Sequence, residues 1–180
     1  MSLKLLMLVA VVIITSSAPI EAQRPEKTSL KEQSLFGADD QTVDRPVKVP
    51  DGALEILRKD EQVLRYLDAE QKSAHELTAE AFLASEVHLD GPDETDLVVM
   101  GEDRLRGANV VTFWVFRKVP EGYRLVLKST ATGLRVEHAR WKGLRNISTG
   151  SPIAGSSVEV FYRFDGKKYQ HYRRRSESIK

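Results

Sequence analysis

The chain has 180 residues, with 27 Lys and Arg against 26 Asp and Glu, a formal net charge of +1 and no cysteine. A near-neutral balance excludes a molecule that is basic throughout and so argues against nucleic acid as its partner. The lack of cysteine excludes a disulfide scaffold, a thiolate metal site, a cysteine nucleophile and the lipid anchor of a bacterial lipoprotein.

In chain order, Met1-Ser2-Leu3-Lys4 carries one positive charge, an unbroken apolar run covers residues 5–14, and small residues follow up to Ala22. These three parts in this order predict a secretory signal peptide over residues 1–22, cleaved after Ala22. The run is about half of the ~20 apolar residues a spanning helix needs, so no membrane anchor is expected after cleavage. The protein is therefore expected to be exported, to a periplasmic or extracellular location. Export without disulfides fits a bacterium better than an animal. Residues 23–50 are polar, with Pro25, Pro46 and Pro50, and read as a flexible linker.

A single α+β domain is expected over residues 51–172. Leu54, Leu57, Val63, Leu64 and Leu67 recur at helical steps, and Asp60 is placed to cap a second short helix. Another helical turn is expected over residues 78–83. The period then changes to two. Strands are expected over residues 85–89, 96–100, 110–118, 123–128, 134–138 and 158–164, and the third, apolar on both faces, reads as central. Asp165-Gly166 signals a two-residue hairpin into Lys167-Lys168-Tyr169. Residues around Gly143, Gly150, Pro152 and Gly155 read as a loop, and residues 173–180 as a polar tail. Helices first and strands after predict short N-terminal helices packed on an antiparallel sheet of about six strands.

Charge is divided along the domain. Residues 51–103 hold four basic and fifteen acidic side chains, net −11, and residues 104–180 hold seventeen and five, net +12. The simplest expectation places the acidic half against the basic sheet. The alternative leaves a basic sheet face open to an anionic partner.

Asp96-Leu97-Val98-Val99, Gly107-Ala108-Asn109 leading into Val110-Val111-Thr112-Phe113-Trp114-Val115-Phe116-Arg117, and Tyr162-Arg163-Phe164-Asp165-Gly166-Lys167-Lys168-Tyr169 resemble a group of uncharacterised exported proteins of soil bacteria, Acidobacteria especially. The resemblance runs from about residue 54 to residue 169. It implies the fold and export rather than an activity. Arg106 stands where members often carry cysteine, and Lys142-Gly143-Leu144-Arg145-Asn146-Ile147 where they tend to have Asn-Gly-x-x-Asp-Ile.

The chemistry-bearing residues form no catalytic pattern. His75, His88, His138 and His171 lack metal-ligand spacing, and neither a Gly-x-Ser-x-Gly elbow nor a phosphate-binding glycine loop occurs. Asp90, Asp93 and Asp96 cluster on one turn, the oxygen-rich setting that Ca2+ takes outside the cell, although their spacing is not that of an EF-hand. Trp141, between Arg140 and Lys142, is the aromatic expected outside the core. With Lys167, Lys168 and Tyr169 it makes the expected contact surface, near Tyr172 and Arg173. The leading expectation is a soluble, non-enzymatic binding module of the cell envelope whose partner is an envelope protein or an anionic polymer. The other is a hydrolase of envelope material that draws paired carboxylates from the acidic half.

Overall fold

Alternating apolar positions organise the molecule into stacked sheets. In the structure, a computed structural model describing residues 32–91 and 94–178, nine strands form two antiparallel sheets and two short helices precede all but the first strand. The elements are β1 (Leu35–Gly37), α1 (Asp51–Leu57), α2 (Glu61–Ala69), β2 (Phe82–Val87), β3 (Asp96–Gly101), β4 (Val111–Val119), β5 (Gly122–Ala131), β6 (Gly133–Trp141), β7 (Leu144–Ile153), β8 (Ser156–Phe164) and β9 (Tyr169–Ser178). One sheet has the order β2-β3-β4-β5, the other β1-β6-β7-β8-β9. The α+β class and the antiparallel pairing agree with the sequence. The expected single sheet of about six strands is corrected to nine strands in two sheets. The expected signal segment, Asp93 and the last two residues lie outside the described residues.

The middle layer explains the doubly apolar strand. Along β4, Val111, Phe113 and Val115 join the core shared with the five-stranded sheet, while Trp114 and Phe116 join the core under the helices. Both faces of β4 are therefore dry, as its sequence requires. Burying each such large side chain contributes about 2–3 kcal/mol. On the helix side, Ala53, Leu54 and Leu57 of α1 and Val63 and Leu67 of α2 pack against Val99 and Trp114, with Phe82 edge-on to Trp114 at 5.8 Å. Asp60 caps α2 by accepting from Gln62 N and Val63 N, and its carboxylate also meets Lys128 Nζ of β5 at 2.8 Å. One side chain thus both starts the helix and fastens it to the sheet.

Four segments depart from the sequence reading. Residues 32–50, expected as linker, are part of the fold. β1 pairs with β6, and Phe36 and Val49 are buried. A three-residue strand holding one buried phenylalanine is too short to show a period. The expected loop after Gly143 is the ten-residue β7, flanked by two-residue turns at Lys142-Gly143 and Ala154-Gly155, all with positive φ. Such turns match the twist of the strands they join. The expected two-residue hairpin at Asp165-Gly166 is a four-residue loop, because Phe164 pairs with Tyr169 and Asp165 N bonds Lys168 O at 3.0 Å. The expected polar tail is strand up to Ser178. β9 lies at a sheet edge with most of its side chains in water, so its sequence has no reason to alternate.

The charges meet in part as the simplest expectation has it. The acidic helices cover one face of the four-stranded sheet, and the basic strands β6–β9 lie beyond its other face. The two halves still meet in ion pairs, Asp60 with Lys128, Glu70 with Arg104 and Asp90 with Arg117.

Candidate functional site

The outward face of the five-stranded sheet is set by its register. Leu134, Val136, Ile147, Phe164 and Tyr169 turn into the core between the sheets. Ser148 pairs with Phe161 and Phe161 with Arg173, so these three share the opposite face. There Arg173 Cζ lies 4.0 Å from the Phe161 ring centre, and Phe161 and Tyr172 have centroids 6.3 Å apart. Arg163 Cζ lies 4.7 Å from the Trp141 ring and 4.0 Å from that of Tyr172. Its guanidinium is held between two aromatic rings. Each contact contributes about 0.5–1 kcal/mol at an exposed site. Arg163 Nε is buried with no hydrogen-bond partner among the described residues, and Trp141 and Tyr172 remain 46% and 38% exposed.

Five of the six expected contact residues gather at one end of this sheet. Arg140 Nη1 donates to Leu89 O at 3.1 Å and Gly143 O at 2.9 Å, so its charge braces the β6–β7 turn. Lys142 Nζ donates to Asp165 O at 2.9 Å, which brings that turn against the loop holding exposed Lys167 and Lys168. Asp165 secures the loop by accepting from Lys167 N and Lys168 N. The Lys168 and Lys167 amides, then the Gln170 side chain, hold its carboxyl down at about 2. The sixth residue, Tyr169, is corrected. It is buried, its hydroxyl donates to Arg145 O at 2.6 Å, and burial pushes that hydroxyl well up. Strand parity is the reason, since Tyr169 faces Phe164 inside the core. Tyr172 and Arg173 are among the aromatic and basic residues expected near this surface, and Arg163 is the one that sequence reasoning missed. Arg163 sits two residues after Phe161 and so on the same face, but only the register brings both to Trp141 and Tyr172.

The acidic turn is bound up with the fold. Asp96 Oδ2 accepts from Leu89 N at 3.0 Å and Oδ1 from Lys118 N at 2.8 Å, while Asp90 Oδ2 meets Arg117 Nη2 at 2.6 Å. Among the described residues no group of three or more His, Asp or Glu is placed to hold a metal ion. His88 lies 3.6 Å from Glu32 and 3.5 Å from Arg45 through Nδ1.

A cleft of about 770 Å³ opens beside β1, lined by Glu32, Asp40, Asp44, Leu35, Ser151 and Ser157 among others. Its carboxylates come from residues 32–44 and not from the acidic half. Two of them already serve the fold: Asp40 accepts from Gly37 N at 2.8 Å and Glu32 pairs with Arg145 at 2.9 Å.

Comparison with protein families, with curated proteins and with solved structures found no match. Among the described residues no helix is long and apolar enough to cross a membrane.

Proposed function

We propose that the protein is an exported, non-enzymatic binding module of the cell envelope, similar in kind to the exported bacterial proteins it resembles. Its binding surface is the outward face of β6–β9, and its partner is an anionic polymer or an acidic envelope protein. The observation that carries this reading is Arg163, clamped between the exposed rings of Trp141 and Tyr172 with Arg173 alongside. Two rings within 5 Å limit where the guanidinium can move, and its planar fork suits paired recognition of a carboxylate or phosphate. Arg140, Lys142, Lys167 and Lys168 extend the positive field at the end of the sheet. Ca2+ at Asp90, Asp93 and Asp96 plays no part in this reading.

Retention of the protein by envelope polyanions in a pull-down is expected to fall about tenfold on Arg163→Ala, the loss of roughly 1.4 kcal/mol. High salt should weaken the wild type in the same assay. Retention that survives high salt, or survives changing Arg140, Lys142, Lys167 and Lys168 together to Glu, would overturn the electrostatic reading. The second reading, a hydrolase of envelope material, draws on the cleft beside β1. Its support is weaker, because Glu32 and Asp40 are engaged by Arg145 and Gly37 N.

A further inference from the structure

The four sheet edges are finished in two different ways. In β1, Ser34 O and Ala38 N bond to Val136 N and Thr132 O, so Leu35 and Gly37 turn their backbone groups away from β6. Three of those four groups are closed locally: Gln33 Nε2 donates to Leu35 O at 2.9 Å, and Asp40 takes both the N–H and the carbonyl of Gly37. The β2 edge is covered by the preceding chain, with Val47 N bonded to Ala84 O and Glu86 N to Arg45 O. β9 is different. It pairs with β8 from Tyr169 to Ser178, and among the described residues it has neither a strand nor a side-chain hydrogen bond on its other side. β5, the remaining edge, lies across a groove of about 380 Å³ from β9, with Leu125, Leu127, Tyr162 and Lys168 among its walls.

We propose that β9 takes up an extended, acidic segment of a partner protein as an added antiparallel or parallel strand. A row of backbone donors and acceptors left without partners is a template for pairing. The side chains along it select the charge, since His171, Arg173 and Arg174 lie in this one strand and are exposed, beside Arg175, which Glu159 and Glu177 already pair at 2.9 and 3.4 Å. The walls select the pattern. An added strand alternates its side chains between two faces. One set meets the inner side, where the partly apolar groove toward β5 opens at Tyr169 and His171 and Arg174 follows, and the other meets Arg173 and Arg175 of the outward face. The fitting segment therefore alternates apolar and acidic residues. A second copy of this chain fits poorly, because two β9 edges would bring arginine runs together. The inference borrows its charge from the reading above but uses a different surface, the strand edge.

The test uses the full chain and a ten-residue peptide of alternating glutamate and valine. Saturable binding is expected, with slowed amide exchange concentrated in β9. Methylating alternate peptide nitrogens keeps the charge and removes donors. It is expected to weaken binding at least about tenfold, at about 1 kcal/mol for each hydrogen bond lost. Changing Arg174→Glu and Arg175→Glu together should abolish uptake of this peptide and permit that of a lysine–valine peptide. Absence of saturable binding would overturn the proposal, and would mean that the arginines only repel other strands. Equal binding of the methylated peptide, or protection centred away from β9, would overturn it too. Polyanion retention without peptide uptake refutes strand addition and leaves the sheet-face reading standing. Peptide uptake without polyanion retention does the reverse.

Discussion

Arg145→Ala is expected to lower the unfolding free energy by about 3–5 kcal/mol, the range for removing one member of a buried, hydrogen-bonded charge pair. The pairing of β6 with β7 is irregular between Val136 and Arg140, and Arg145 fills that irregularity. Its Nε donates to Glu137 O at 2.8 Å, its Nη2 to Val136 O at 3.0 Å and its Nη1 to Glu32 Oε2 at 2.9 Å. Its own carbonyl accepts from the Tyr169 hydroxyl, and its N–H bonds Leu89 O. Only the side-chain bonds are lost in the alanine variant. They leave two strand carbonyls and the Glu32 carboxylate without their donor, and each orphaned group costs about 1–3 kcal/mol. Equilibrium urea unfolding checks the value, and Arg145→Lys, which reaches one partner at a time, should fall between the two. A loss under about 1 kcal/mol would mean that water replaces the guanidinium at no cost.

The second large effect depends on pH. Burial raises the Asp96 carboxyl to about 6, outweighing the Lys118 and Leu89 amides that lower it; Asp90 adds to the rise and Arg117 opposes it. An unfolded aspartate titrates near 3.9. Between these values the folded state binds more proton than the unfolded one, so stability falls as pH rises. The contribution is complete only well below pH 4 and gone only well above pH 6, a total of about 3 kcal/mol between those limits. Asp96→Asn carries no charge at either limit. It also withdraws an acceptor from Leu89 N or Lys118 N, an offset that stays constant with pH. The stability of the wild type relative to this variant should therefore decline by about 2 kcal/mol from pH 4 to pH 6.5. Parallel stability curves for the two proteins would rule out the raised carboxyl.

What could be read in advance follows from how each residue is exposed. β4 was legible because a strand dry on both faces has no polar face to hide its apolar run. Asp60 was legible as a cap because capping is a local event decided within three residues. β7 was not legible, since Gly150 and Pro152 interrupt it and its buried Asn146, Ser148 and Thr149 look like loop residues. β9 was hidden by Arg173-Arg174-Arg175. At a sheet edge, charge is compatible with strand, yet the same run suits a solvated tail. The contact surface was legible at Trp141 and its basic neighbours, because an aromatic between two cations at a strand end has little prospect of burial. Tyr169 was misplaced and Arg163 overlooked for one shared reason. Which face a strand residue takes depends on a register that the four-residue loop at 165–168 sets, and a one-residue difference in loop length moves every side chain to the other face.

The meandering order of the strands carries a kinetic consequence. From β2 to β9 every strand pairs with its neighbour in the chain within its sheet, so most of the pairing can close from short loops. β1 is the exception, since it pairs residue 35 with residue 135, and Glu32 meets Arg145 next to that junction. Closing so long a loop is favourable only after β6 and β7 are in place. The docking of β1 therefore belongs after the rate-limiting barrier. In that order Phe36→Ala, which removes the buried side chain of β1, accelerates unfolding and leaves the folding rate nearly unchanged, and a stopped-flow chevron with a slowed folding arm would reverse it.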